Sequence, residues 1–92
     1  MREHSGEAAS LLKAVGNQSR LMVLCALADG ELCVGELLER VALSQSALSQ
    51  HLAVLRREGL VETRREAQQI YYSLADGNAR KLIEFLYTVY CV

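Results

Sequence analysis

The chain has no proline, no tryptophan, one phenylalanine and only two histidines among its 92 residues. Without proline nothing rigid stops a helix, so glycines, polar caps and turns must do it. Long apolar runs are missing too. The longest, "LMVLCALA" from Leu21, is far too short to cross a bilayer. The opening "MREHSGEAAS" has neither an apolar stretch nor a cleavage-like site, so no signal peptide, no membrane partner and a cytoplasmic location are expected. An excess of either charge is also lacking: the formal net charge is −1. That alone argues against a nucleic-acid partner, whose phosphates call for facing cations. Cys25, Cys33 and Cys91 form no CxxC. In a reducing compartment they are expected as thiols rather than structural disulfides. With no catalytic motif, no Cys–His pairing near in sequence and no cofactor called for, an enzyme is not expected.

What is present is a single small domain spanning residues 1–92, half of it hydrophobic. A chain of this size buries about 60–65% of its unfolded surface, so a partner subunit would help to hide the rest. Ala8, Leu11, Leu12 and Val15 predict a short amphipathic helix ending near Gly16. Asn17 or Ser19 caps a second helix, apolar nearly all round, that runs to about Ala28 and closes at Asp29-Gly30. Val34, Leu37, Leu38 and Val41 follow the i, i+3, i+4, i+7 rule of a third. Ser44 opens a fourth that lasts until Gly59. The period then changes to two. Val61 and Thr63 alternate with Glu62 and Arg64, and Ile70, Tyr72 and Leu74 alternate with Tyr71 and Ser73. These are two antiparallel strands with a turn around Glu66 to Gln68. After Asp76-Gly77 a last helix carries Leu82, Ile83, Leu86, Val89 and Tyr90. The order α-α-α-α-β-β-α is mainly α, of the winged helix-turn-helix kind.

The fourth helix, "SQSALSQHLAVLRREGL", carries unusual hydrogen-bonding capacity. At 100° per residue, Ser46, Ser49, Gln50, Ala53 and Arg57 share one face, and Ala47, Leu48, Leu52 and Leu55 turn inward. A face this small near its N-terminus can enter a major groove. There Ser44, Gln45, Ser46, Ser49 and Gln50 can address base edges, and glutamine can bond adenine through two atoms. Arg57 is placed for phosphate. His51 lies on the flank, as a base contact or as a packed, hydrogen-bonded histidine. Arg64 and Arg65, near the hairpin tip, can touch a minor groove or backbone phosphates; the competing reading pairs them with Glu62 and Glu66. Plain solvation of a surface helix would favour Glu, Lys and Arg over Ser. The arginines Arg56, Arg57, Arg64 and Arg65 are diluted by Glu58, Glu62 and Glu66, so the electrostatic signal is weak. A dimeric interaction module that has lost DNA binding is the other reading, and the intact Ser/Gln face argues against it.

The stretch "SQSALSQHLAVLRREGLVETRREAQQIYYSL" resembles the winged-helix core of the ArsR/SmtB repressors. The upstream "LLKAVGNQSRLMVLCALADGELCVGEL" resembles the segment preceding it in that family. The likeness runs from about residue 8 to the end. It implies a homodimer through the first and last helices, the fourth helix in the major groove, the hairpin as wing, and a palindromic operator in double-stranded DNA.

The family divides by what its members sense. Arsenic and cadmium sensors carry "ELCVCDL", whereas this chain reads "ELCVGEL", with Gly35 in place of the second cysteine. One thiolate is a poor site for a soft metal. Zinc sensors use His and Asp/Glu pairs on the last helix, which has no histidine here, so no metal site is expected. Cys25 and Cys91 resemble the pair of the persulfide-responsive branch, the SqrR-, BigR- and HlyU-like regulators. That resemblance implies that a reactive sulfur species links the two through a sulfur chain. By chemistry alone the order differs. A helix start favours a thiolate, which ranks Cys33 first, and Cys25 reads as a packed small hydrophobe. A metalloid sensor using Cys33 with Cys25 or Cys91 is the alternative within the family.

Overall fold

The computed structural model describes residues 2–90. After a 3-10 turn (Arg2–His4) the chain forms α1 (Ser5–Val15), α2 (Gln18–Leu27), a short strand β1 (Leu32–Cys33), α3 (Val34–Arg40), α4 (Gln45–Arg57), β2 (Val61–Glu66), β3 (Gln69–Leu74) and α5 (Asn78–Tyr90). The four helices, hairpin and final helix stand in the expected order. What the sequence reading lacked is β1. It pairs antiparallel with β3 (Leu32 opposite Tyr72, Cys33 opposite Tyr71), so the sheet has three strands in the order β1-β3-β2. A strand of two residues has no alternation to read.

Local chemistry sets each boundary. Gly16 closes α1, its amide donating to the Leu12 carbonyl at 2.7 Å, and glycine is needed there because a Cβ would lie 2.8 Å from that oxygen. Asn17 caps α2, its Oδ1 accepting from the Arg20 amide at 3.0 Å. Arg20 returns the favour across the joint by donating from Nε to the Ala14 carbonyl at 2.7 Å. Ser44 caps α4, its Oγ accepting from the Ala47 amide at 3.2 Å. The other end of α4 closes in a Schellman motif. The Leu60 amide donates to Leu55 O at 2.9 Å and the Gly59 amide to Arg56 O at 3.0 Å. Gly59 takes φ 75°, a left-handed conformation that suits glycine. The hairpin turn does without Asn-Gly: Ala67 itself adopts φ 55°.

A single cluster of buried apolar side chains joins these elements. Val23, Leu24 and Leu27 of α2 meet Leu37 of α3, Leu48, Leu52 and Leu55 of α4, Ile83 of α5, and Val61 and Leu74 of the hairpin. The helices place one inward residue per turn, and the strands every second residue, as their periods require. Two elements leave apolar surface uncovered. Leu12 of α1 and Phe85, Val89 and Tyr90 of α5 are all more than half exposed. Among the described residues, no helix is long and apolar enough to cross a membrane.

Candidate nucleic-acid interface and thiol positions

The polar face of α4 stands as its spacing predicts. Ser44, Gln45, Ser46, Ser49, Gln50, Ala53 and Arg57 are exposed, His51 is half-buried on the flank, and Leu48, Leu52 and Leu55 are buried. The helix is thus anchored by its leucines and free to present its Ser/Gln side. Arg56 and Arg57 occupy its last turn, where the dipole favours cations. Between α4 and the hairpin runs an open groove of about 490 Å³, lined by Ser49, Leu52, Ala53, Arg56, Arg57 and Tyr72.

The wing's two arginines fall on different sides. Neighbouring residues of a strand point to opposite faces. Thr63 stands opposite Tyr72, and Arg64 opposite Tyr71. Arg65 therefore shares the face of Thr63 and Tyr72, the side that borders α4. Arg64 shares the far face with Tyr71, its guanidinium carbon 4.8 Å from the ring centre. Arg64 is also engaged through each of its three nitrogens. Its Nε and Nη2 donate to Glu31 at 3.2 and 2.5 Å, and its Nη1 donates to Glu66 at 2.8 Å. The pairing with Glu66 in the competing reading is present for Arg64, and Glu31, not Glu62, supplies the other carboxylate. The hydrogen bond from Arg64 holds the Glu31 carboxyl below its ordinary pKa, and the two carboxylates push that of Arg64 up. Arg65 makes no ion pair among the described residues.

The three thiols have separate settings. Cys25 is half-buried on α2, the helix against which α5 packs. Cys91 lies outside the described residues. Cys33, half-buried, is the residue before α3, and its amide donates to Glu36 Oε1 at 3.0 Å, half of a capping box. That bond, helped by the Cys33 side chain, lowers the Glu36 pKa. Among the described residues no three His, Cys, Asp or Glu side chains gather as metal ligands would.

A carboxylate outside the polar face ties three elements together. Asp29, just after α2, accepts from Tyr87 Oη of α5 at 2.7 Å on one oxygen, and from Arg40 Nη1 of α3 at 3.2 Å on the other. No spacing rule joins residues so distant in the chain.

Two short helices meeting at a turn, the second displaying a polar face and followed by an antiparallel hairpin, define a winged helix-turn-helix protein. Residues 17–63 match the family described as bacterial regulatory protein, arsR family. The sequence is 55% identical to the transcriptional activator HlyU of Vibrio cholerae serotype O1 over 91 residues, covering 99% of this chain and 84% of that protein. It is 50% identical to the biofilm growth-associated repressor of Agrobacterium fabrum over 91 residues, covering 99% and 78%. The solved structure of reduced HlyU from Vibrio cholerae N16961 superposes with a TM-score of 0.93 at 54% identity, covering 100% of this chain and 97% of that one. The chain belongs to the arsR family of bacterial regulatory proteins, within the HlyU- and BigR-like subgroup, and is a transcriptional regulator rather than an enzyme. One relative is named an activator and the other a repressor, so the likeness carries regulation without its sign.

Proposed function

We propose that this regulator binds a palindromic operator as a homodimer and releases it when reactive sulfur links Cys25 to Cys91. The observation that carries the DNA reading is the division of α4, with its Ser/Gln face exposed over three buried leucines. Ser44, Gln45, Ser46, Ser49, Gln50 and His51 then address the major groove, and Arg57 and the wing contact phosphate. The exposed Leu12, Phe85, Val89 and Tyr90 support a dimer through α1 and α5, since large apolar side chains left exposed on these two helices ask for a covering surface. A two-fold axis there sets two copies of α4 about one DNA turn apart.

The packing of α5 on α2 supports the sulfur switch, because it sets the helix that leads to Cys91 beside the helix that carries Cys25. A relative solved as reduced HlyU accords with thiol chemistry. With a trisulfide donor R–S–S–S–R, each cysteine thiol displaces one R–SH and the central sulfur remains as the bridge. Two thiols are oxidised and the two outer donor sulfurs are reduced. The bridge is longer than a disulfide, whose Cα atoms must lie within about 4.4–6.8 Å. It can therefore join thiols that peroxide cannot close. Asp29 offers the outward route, since it holds α5 through Tyr87 and the helix before α4 through Arg40. A hundredfold loss of affinity needs a coupling of only about 2.7 kcal/mol.

The test measures operator affinity before and after polysulfide treatment, with intact mass as the chemical readout. A gain of one sulfur less two hydrogens together with weaker binding is expected. Cys33→Ser should keep that response, and Cys25→Ser or Cys91→Ser should lose it. A Cys25–Cys91 disulfide without inserted sulfur would remove the argument from length. A metal titration watched for thiolate absorption separates this reading from the metalloid sensor that uses Cys33.

A further inference from the structure

The two arginines at the wing are adjacent in sequence, yet their surroundings differ in kind. Arg64 lies on the middle ring of its sheet face, over Tyr71, and reaches across the whole sheet. Its partner Glu31 stands beyond β1, two strand spacings from β2, a span of about 10 Å. All three guanidinium nitrogens are used, by two carboxylates. The cluster of Arg64, Glu31 and Glu66 therefore carries net negative charge, and the two carboxylates that hold the guanidinium repel an approaching phosphate. Arg65, on the side that borders α4, has no such partner among the described residues.

We propose that Arg64 is a positioning residue. It pins the wing to the Glu31 turn that leads into α3, fixing the hairpin's angle against the helix-turn-helix, and leaves Arg65 as the wing's contact with DNA. This rests on the operator-binding reading, but it makes a prediction of opposite sign to simple electrostatics. Removing a negative charge from a DNA-binding protein ordinarily tightens binding, because phosphates repel it less. If Glu31 matters by holding Arg64, removing its charge weakens binding instead.

The experiment uses the full chain and the duplex that it selects from a random pool. Glu31→Gln, an exposed and nearly isosteric change, is expected to weaken binding by about two- to fivefold, the range an exposed ion pair supports. Its salt slope stays that of the parent. Arg64→Gln likewise leaves the slope unchanged, whereas Arg65→Gln lowers it by about one. In the free protein, Glu31→Gln should speed amide exchange along the wing from residue 64 to 71. Tighter or unchanged binding by Glu31→Gln would overturn the proposal, as would a slope loss in Arg64→Gln equal to that in Arg65→Gln. Should the parent select no duplex, the operator reading fails by itself. The exchange measurement still decides the clamp, and unchanged wing protection would sink it.

Discussion

Tyr87 donates its hydroxyl to one oxygen of Asp29 at 2.7 Å, and Arg40 holds the other at 3.2 Å. One carboxylate thus ties the final helix to the helix that precedes α4. Tyr87→Phe keeps the ring and removes the donor. It should cost about 0.5–1.5 kcal/mol of stability. In the proposed switch it should also shrink the affinity change caused by polysulfide while leaving the reduced protein's binding near the parent value. Paired melting and titration curves check both, and an undiminished response would show that the bridge is not the route.

Base readers and phosphate contacts separate by their selectivity. Gln50→Ala should cost about 1–3 kcal/mol on the selected duplex and little on a scrambled one. Arg57→Ala should weaken both alike and flatten the salt slope by about one. Competition titrations at several salt concentrations distinguish the two patterns.

Phe85 is 63% exposed and begins the uncovered α5 stripe. A charge there would be buried in the proposed dimer at a cost of several kcal/mol if left unpaired. Phe85→Glu should sediment as a folded monomer and lose operator binding, since two half-sites no longer act together. A dimer that survives this change would move the subunit contact elsewhere.

Two backbone positions act with opposite sign. Gly59 has φ 75° with open space around a would-be Cβ, so Gly59→Ala meets conformational strain and no clash. It should destabilise by about 1–2 kcal/mol, or roughly 4–15 °C in Tm for a domain of this size. Ala67 bears φ 55° at the hairpin turn, and Ala67→Gly should raise stability by about 0.5–1 kcal/mol. Thermal unfolding decides each.

The Glu31 carboxyl titrates below its ordinary 4.5 because Arg64 hydrogen-bonds to the charged form. A lowered folded-state value means that the contribution is fully present above 4.5 and is lost as pH falls through the lowered value. Glu36, lowered by the Cys33 amide, behaves the same way. The melting difference between the parent and Glu31→Gln should therefore be present near neutrality and close on acidification below 4.5. A gap that persists in acid would mean that the carboxylate acts by packing rather than charge.

Helix positions were legible where period and caps agree: Leu48, Leu52 and Leu55 turn inward as spaced, and Ser44 and Asn17 cap as expected. The hairpin was legible from its alternation. That alternation also separates Arg64 from Arg65, since neighbours on a strand point apart, although adjacency in sequence invites treating them as a pair. The β1 strand was not legible, being two residues with no period. Glu31 and Asp29 were hidden for a different reason: each acts through partners brought near only by the completed fold. Cys25 could be placed on α2 from its apolar neighbours, but its relation to α5 is tertiary.

On α4, Ser46, Ser49 and Gln50 are exposed and stand apart from the buried Leu48 and Leu55 beneath them. Changes at Ser46, Ser49 or Gln50 therefore leave the interior untouched, and substitutions there carry little folding penalty. Under the proposed base-reading role, single replacements along this helix can retune the target site without compensating repairs elsewhere.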